Sequence, residues 1–299
     1  MKKSYITDKN ANLLTIRDPM ITVVGDTYYL TGTQPPYWGG VNDGMHLWST
    51  KDLKSFSYHG IIVKREDMPE DMWCRDRFWA PELFFDGERF FATFSCRNES
   101  KEHPHEFGVG LAVSKKAEGP YEIVTKEEPL CSGIDGTIFK DDDGALYIGA
   151  NGVDEQKSRM ALLLRKLDVK NYKATDPYVV TTTGEKDEWD FVGVEGQCII
   201  KRNDVYFQWY SSWSDKYYAA GLLTSKNING PWEKSPQNPI IKENEEYFKC
   251  GHNHSFRGLD GKDYIIFHAF CRFDTEEDRC ERLYIKEIEY KTDGSVQIK

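Results

Sequence analysis

A turn followed by an aromatic-rich strand recurs five times along the chain: GDTYYLTGT at 25–33, DGERFFATFS at 86–95, DDGALYIGAN at 142–151, RNDVYFQWYS at 202–211 and DGKDYIIFHA at 260–269. The turn residues Gly25, Gly87, Gly144, Asn203 and Gly261 are separated by 62, 57, 59 and 58 residues. So constant a period constrains the fold more than any other feature of the sequence. Each unit carries a further strand after the aromatic one, as in MHLWSTKDLKSF, VGLAVSKKAEGPYEI and AAGLLTSKNINGPWEK, and almost no helical periodicity. Repeats of about this size built from four strands are propeller blades. The expectation is an all-β, five-bladed β-propeller. No Pro/Ser-rich or low-complexity stretch offers a boundary, so residues 1–299 are expected to form one catalytic domain.

Composition narrows the function. The net charge of -10 would repel nucleic-acid phosphates, so no nucleic-acid partner is expected. No apolar run approaches the roughly 20 residues of a membrane-spanning helix, and no membrane partner is expected. The first ten residues, MKKSYITDKN, have the lysines of a signal peptide without its apolar segment. A cytoplasmic location follows, unless a leader has been removed. Seven cysteines without a C-x-x-C pair suit reduced, mostly buried thiols. The 17 Tyr, 16 Phe and 8 Trp favour strands and provide flat surfaces on which sugars stack.

Aligning the repeats on their turns brings polar residues into register. Asp18, Glu82, Asp135, Glu195 and His254 lie 7, 5, 9, 8 and 7 residues before their turns. The innermost strand of a propeller blade lines the central channel, so these side chains should converge on the axis. Carboxyls gathered in an aromatic-rimmed pocket suit glycosidic bond cleavage. That reaction needs one protonated acid for the leaving oxygen and one ionised carboxylate to activate water. Crowding of like charges and burial drive two such pKa values apart.

The segments RDPMI, WAPEL, IDGTIFKDDDG, VEGQCIIKRND and GHNHSF followed by YIIFH resemble, in order, the blade motifs of glycoside hydrolase family 43. The resemblance extends from about Ile16 to His268. It implies an inverting glycosidase acting on arabinofuranosyl or xylosyl groups of oligosaccharides or polysaccharides, with Asp18 as general base, Asp135 tuning and orienting the acid, and Glu195 as general acid. It also implies that a histidine of GHNHS stands near the axis, His254 by repeat register and otherwise His252. No cofactor is required by this reading, beyond a structural calcium that these histidines would face. The chain departs from the family in reading Asp-Gly-Thr for the commoner Asp-Pro and in carrying Arg17 before Asp18. With the fifth blade's outer strand near Gln297, the reading expects no extension of the kind frequent in xylosidases, and with it a more open pocket.

Around these acids, Trp79, Glu82, His268 and Arg272 are candidate substrate contacts, and Trp38 in TQPPYWGGVNDG is a candidate stacking platform. CRNESKEHPHE at 96–106 reads as a second rim loop, and Asp141–Asp143 as a hairpin turn. Two alternatives to a hydrolase are a glycoside phosphorylase, which needs a basic phosphate cradle, and a non-catalytic sugar-binding propeller, which has no need of three converging acids.

Overall fold

The computed structural model describes residues 6–39, 41–99, 107–214 and 217–299. Each repeat folds into one antiparallel sheet whose strands follow chain order from the axis outward. Blade one comprises β2 (Arg17–Val24), β3 (Thr27–Thr33), β4 (Gly44–Thr50) and β5 (Ser55–Lys64), with β1 (Thr7–Asp8) added in parallel on its outer edge. In blade two, β6 (Asp76–Phe85), β7 (Phe90–Arg97) and β8 (Gly108–Ser114) are followed by two short pieces, β9 (Glu122–Ile123) and β10 (Cys131–Ser132), that both pair with β8. Blade three holds β11 (Ile134–Lys140), β12 (Leu146–Asp154), β13 (Arg159–Asp168) and β14 (Lys173–Thr183). Blade four holds β15 (Glu195–Arg202), β16 (Val205–Trp213), β17 (Tyr218–Ser225) and β18 (Glu233–Lys234). Blade five ends the chain with β19 (Tyr247–Arg257), β20 (Asp263–Cys271), β21 (Glu281–Tyr290) and β22 (Val296–Ile298). Among the described residues, the one helical element is a 3-10 turn at Arg65–Asp67. The protein is a five-bladed β-propeller.

The aromatic content is spent between blades. Separate apolar clusters join each neighbouring pair: Met45, Trp73 and Phe94 between blades one and two, Phe91, Leu111 and Ile148 between two and three, and Phe139, Tyr147 and Tyr206 between three and four. Phe207, Trp209 and Phe267 fill the space between blades four and five. The ring closes where Leu30 and Tyr28 of blade one meet Phe256 and Ile266 of blade five. Each sheet is thus covered on both faces, which explains why the second strand of every repeat is apolar along its length rather than alternating.

The five repeat-defining turn residues all adopt positive φ: Gly25 59°, Gly87 111°, Gly144 85°, Asn203 52° and Gly261 79°. A Cβ at any of the four glycines would meet nothing within 4 Å. Backbone conformation rather than space selects Gly there, and Asn203 is the residue type that tolerates the same conformation. Asp141–Asp143 lie in the β11–β12 turn, where the Asp141 carbonyl accepts the Gly144 N–H at 2.9 Å. The proposed rim loop at 96–106 falls mostly outside the described residues, His103 and His105 included.

Candidate active site

Every innermost strand is interrupted by a bulge near its start. The register shifts fall between Arg17 and Met20, Trp79 and Glu82, Ile134 and Thr137, Glu195 and Cys198, and Gly251 and His254. Within them one residue takes positive φ: Asp18 51°, Ala80 41°, Asp135 61°, Gly196 60° and His252 43°. A bulge re-aims the side chains around it, and here it turns them toward the axis. The structural register therefore differs from the one read from turn spacing. Glu82 and His254 lie two residues beyond the bulge, level with Met20, Thr137 and Cys198 in the next layer down the axis. His252, rather than His254, and Gly196, rather than Glu195, are the equivalents of Asp18 and Asp135, and Glu195 stands one residue ahead, level with Arg17 and Ile134.

Hydrogen bonds between blades hold the bulges. The Asp18 N–H donates to His268 Nδ1 at 3.1 Å, Ala80 N–H to Thr33 Oγ1 at 2.7 Å, Asp135 N–H to Ser95 Oγ at 2.7 Å and His252 N–H to Ser211 Oγ at 2.7 Å. In each case the acceptor belongs to the second strand of the preceding blade. The fifth position breaks the pattern. Gly196 N–H donates instead to the carboxylate Oδ2 of Asp135 at 3.0 Å, tying Asp135 to the backbone immediately after Glu195. Gly196 is also the residue against which the His252 ring packs, since a Cβ there would stand 3.0 Å from the ring.

Three carboxyls meet at this level in different environments. Asp18 is buried, which alone would raise its pKa, but its neighbours outweigh burial and hold it below the usual range. Thr33 Oγ1 donates to Asp18 Oδ2 at 2.6 Å, and His252 Nδ1 stands 3.4 Å from Oδ1. Burial keeps His252 and His268 themselves below the ordinary histidine range, so they stand neutral at neutral pH. The permanent cation beside Asp18 is Arg17, whose Nη1 donates to Glu281 at 2.9 Å. Its guanidinium lies 4.9 Å from the ring centre of Trp38 and 5.6 Å from that of Tyr37.

Glu195 is pushed up to about 7, first by burial and then by the negative charge of Asp18, against hydrogen bonds that pull it down. Those bonds come from Tyr218 Oη to Oε1 at 2.7 Å and from Trp213 Nε1 to Oε2 at 3.2 Å. Asp135 is raised well above the carboxylate range by burial and by the charges of Glu195 and Asp18. One ionised carboxylate and a coupled pair that retains protons toward neutrality thus share the site. Tyr218, Trp213, Thr33 and Glu281 were not singled out from the sequence. Thr33, Ser95 and Ser211 did carry a signal, each a hydroxyl eight residues after its turn.

The remaining candidates divide. Trp79 donates its indole N–H to the Tyr37 carbonyl at 2.8 Å, stacks on Phe107 and meets Trp38 edge-on, while Trp38 is 69% exposed. His268 is fully buried under Asp18. Arg272 is not brought to the carboxyls: it donates to Glu243 Oε2 and to the Asn244 carbonyl and lies over Phe248. The axial donors do not fit a calcium ion, which takes about six to eight oxygen ligands. His252 and His254 offer ring nitrogens where calcium takes oxygens, and Glu82, in the same layer as His254, is pushed up to about 8 by burial. Among the described residues no group of three or more His, Cys, Asp or Glu is placed to hold a metal.

The sequence model of glycosyl hydrolases family 43 matches residues 14–296. The chain belongs to this family. As a family-43 protein it is a glycosidase, and its relatives carry matching names. Beta-D-galactofuranosidase xynD of Aspergillus niger is 29% identical over 80% of this chain and 71% of its own length. Xylosidase/arabinosidase 43B of Humicola insolens is 27% identical over 88% of this chain but 49% of its own length, so the chain spans about half of that relative. A solved structure described as an endo-1,4-beta-xylanase from Bacteroides thetaiotaomicron superposes with a TM-score of 0.80 at 25% identity, covering 100% of this chain and 96% of that one.

Proposed function

We propose that the protein hydrolyses α-L-arabinofuranosyl or β-D-xylosyl linkages of plant-type oligosaccharides with inversion at the anomeric carbon. The observation that carries this reading is the coexistence, in one axial site, of a carboxylate held ionised at Asp18 and a carboxyl held protonated up to about pH 7 at Glu195. Glu195 donates its proton to the glycosidic oxygen as the bond to the anomeric carbon breaks. Asp18 accepts a proton from a water that attacks that carbon from the opposite face. Inversion requires room for this water, so the two carboxyls are expected to stand about 6.5–9.5 Å apart. Asp135, bonded to Gly196 N–H, orients the segment carrying Glu195.

The xylosidase/arabinosidase names of relatives support the choice of sugars, and the galactofuranosidase name adds a third sugar to be tested. A phosphorylase would need free cations for phosphate, whereas Arg17 is already engaged by Glu281. The test is a panel of nitrophenyl α-L-arabinofuranoside, β-D-xyloside and β-D-galactofuranoside with and without phosphate, with proton NMR of the first-formed anomer. Hydrolysis without phosphate and with inversion is expected. Retention, or turnover that depends on phosphate, would contradict the mechanism.

A further inference from the structure

The catalytic candidates stand at the starts of β2, β11 and β15, so the start of β6 and the end of β7 belong to the same face of the propeller. At that edge of blade two three arginines meet. Asp76 pairs with Arg97 across β6 and β7, and the Arg75 N–H donates to the Arg97 carbonyl at 3.2 Å. Arg77 follows at φ 90° and Phe78 at φ 46°, both in the left-handed region and neither of them glycine. Backbone held in that region costs about 1–3 kcal/mol per residue and collects at functional sites.

The charges of this edge do not balance. Arg77 Nε and Arg97 Nε donate to one and the same oxygen, Glu99 Oε1, at 2.6 and 2.9 Å. Asp76 is buried and already engaged, by Arg65 Nε at 3.0 Å and by the Glu99 N–H at 2.8 Å. Of Arg65, Arg75, Arg77 and Arg97, Arg75 alone forms no ion pair among the described residues. Its Nε is buried without an acceptor, as is Nη1 of Arg77. A guanidinium carries five donors, and a charged donor left unpaired inside a protein costs more than a neutral one. In a chain of net charge -10, three guanidiniums sharing one carboxylate attract an anion from outside.

Rings join this edge to the catalytic carboxyls. The Arg97 guanidinium lies 4.6 Å from the ring centre of Phe107, Phe107 stacks on Trp79 at 4.9 Å, and Trp79 meets Trp38 edge-on at 5.8 Å. Arg77 lies 5.6 Å from the Trp79 ring centre, and Arg17, the residue before Asp18, lies 4.9 Å from that of Trp38. We propose that the arginine edge of blade two binds the carboxylate of a hexuronate, and that the substrate is a saccharide carrying such an acidic sugar. The inference rests on the glycosidase reading above for the origin of the ligand and adds to it the charge of the substrate. A planar carboxylate matches a guanidinium fork with two parallel hydrogen bonds. The C–H face of the sugar takes exposed aromatic surface, which Trp38 supplies. Phosphate that attacked an anomeric carbon would have to stand beside Asp18, and the cation there, Arg17, is held by Glu281 rather than grouped with these three.

The test is calorimetric titration of the wild-type protein, Arg97→Gln and Arg75→Gln with D-glucuronate, D-galacturonate, D-glucose, D-galactose and inorganic phosphate. None of these sugars has a glycosidic bond, so the readout does not depend on hydrolysis. Arg75→Gln breaks no ion pair and serves where Arg97→Gln fails to fold. The expected result is a hexuronate bound by wild type about 10-fold or more tighter than its neutral counterpart, a loss of most of that preference in either variant, and phosphate bound more weakly than the hexuronate. Equal affinity for acidic and neutral sugar, no binding of either hexuronate, or a preference unchanged in the variants would overturn the proposal. Phosphate bound as tightly as the hexuronate would overturn it as a sugar site. Hexuronate binding by a protein that cleaves none of the nitrophenyl glycosides would leave this site standing and contradict the hydrolase reading, and hydrolysis without hexuronate binding would do the reverse.

Discussion

Glu82 offers a test of the site's electrostatics that does not depend on catalysis. It sits on β6 one layer below the bulge ring, 8% exposed, beside Thr137, and burial pushes its carboxyl from an ordinary 4.5 up to about 8. A pKa raised on folding means that the native state binds the proton more tightly than the unfolded chain. The associated stability is fully present below pH 4.5 and is lost as pH rises toward 8. At about 1.36 kcal/mol per pH unit, the full interval corresponds to about 5 kcal/mol. Glu82→Gln keeps the shape of the protonated acid and cannot ionise. In urea unfolding at pH 4.5, 6, 7 and 8, wild type and variant should be of similar stability at the lowest pH, and the variant should gain progressively, to about 4 kcal/mol at pH 8, where half of the folded Glu82 has ionised. Because the comparison is a difference, buried acids that do not feel the Glu82 charge cancel, whereas Asp135 does feel it and shares in the difference. Stabilities that stay parallel across this range, or a variant destabilised by a constant amount, would show that Glu82 is ionised in the folded protein and refute the reasoning.

The wild-type pH profile of kcat/KM should lose activity above about pH 7, where Glu195 ionises. Tyr218→Phe removes a hydrogen bond that lowers this pKa, so the alkaline limb should move up; an unmoved limb would assign it to another group. Gly196→Ala places a Cβ at φ 60° and 3.0 Å from the His252 ring, and should cost roughly 1–2 kcal/mol of stability in urea unfolding. Activity of this variant should fall by more than that loss implies, as the Glu195–Gly196–Asp135 link is disturbed; full activity would remove the link from the mechanism.

The blade count was legible because each repeat announces itself with a turn that needs positive φ and an apolar strand buried on both faces. Asp18, Asp135 and Glu195 were legible because they recur before those turns. The register within the inner strands was not. A bulge adds one residue without leaving a mark in turn spacing, so Glu82 and His254 read as equivalents of Asp18 when Ala80 and His252 hold that place. Ala80 could not have been found by chemistry, since its side chain has none. Tyr218 and Trp213 come from the third strand and the end of the second, and only the packing of blade four brings them to Glu195. Arg17 was noticed as a departure from the family pattern, but its partner Glu281 lies across the ring closure, 264 residues away in sequence.

The central claim is that Glu195 delivers the proton and Asp18 activates the water, and leaving-group dependence in Glu195→Gln tests it most directly. The amide keeps the hydrogen-bonding shape and cannot protonate. A sugar alcohol that must be protonated to depart should then react about 10²–10⁴-fold more slowly, whereas dinitrophenolate, stable as an anion, should depart at a rate much closer to wild type. Asp18→Asn should slow both alike, because water must be activated whichever group leaves. Equal losses on both substrates for Glu195→Gln, at an unchanged melting temperature, would remove Glu195 from the acid role.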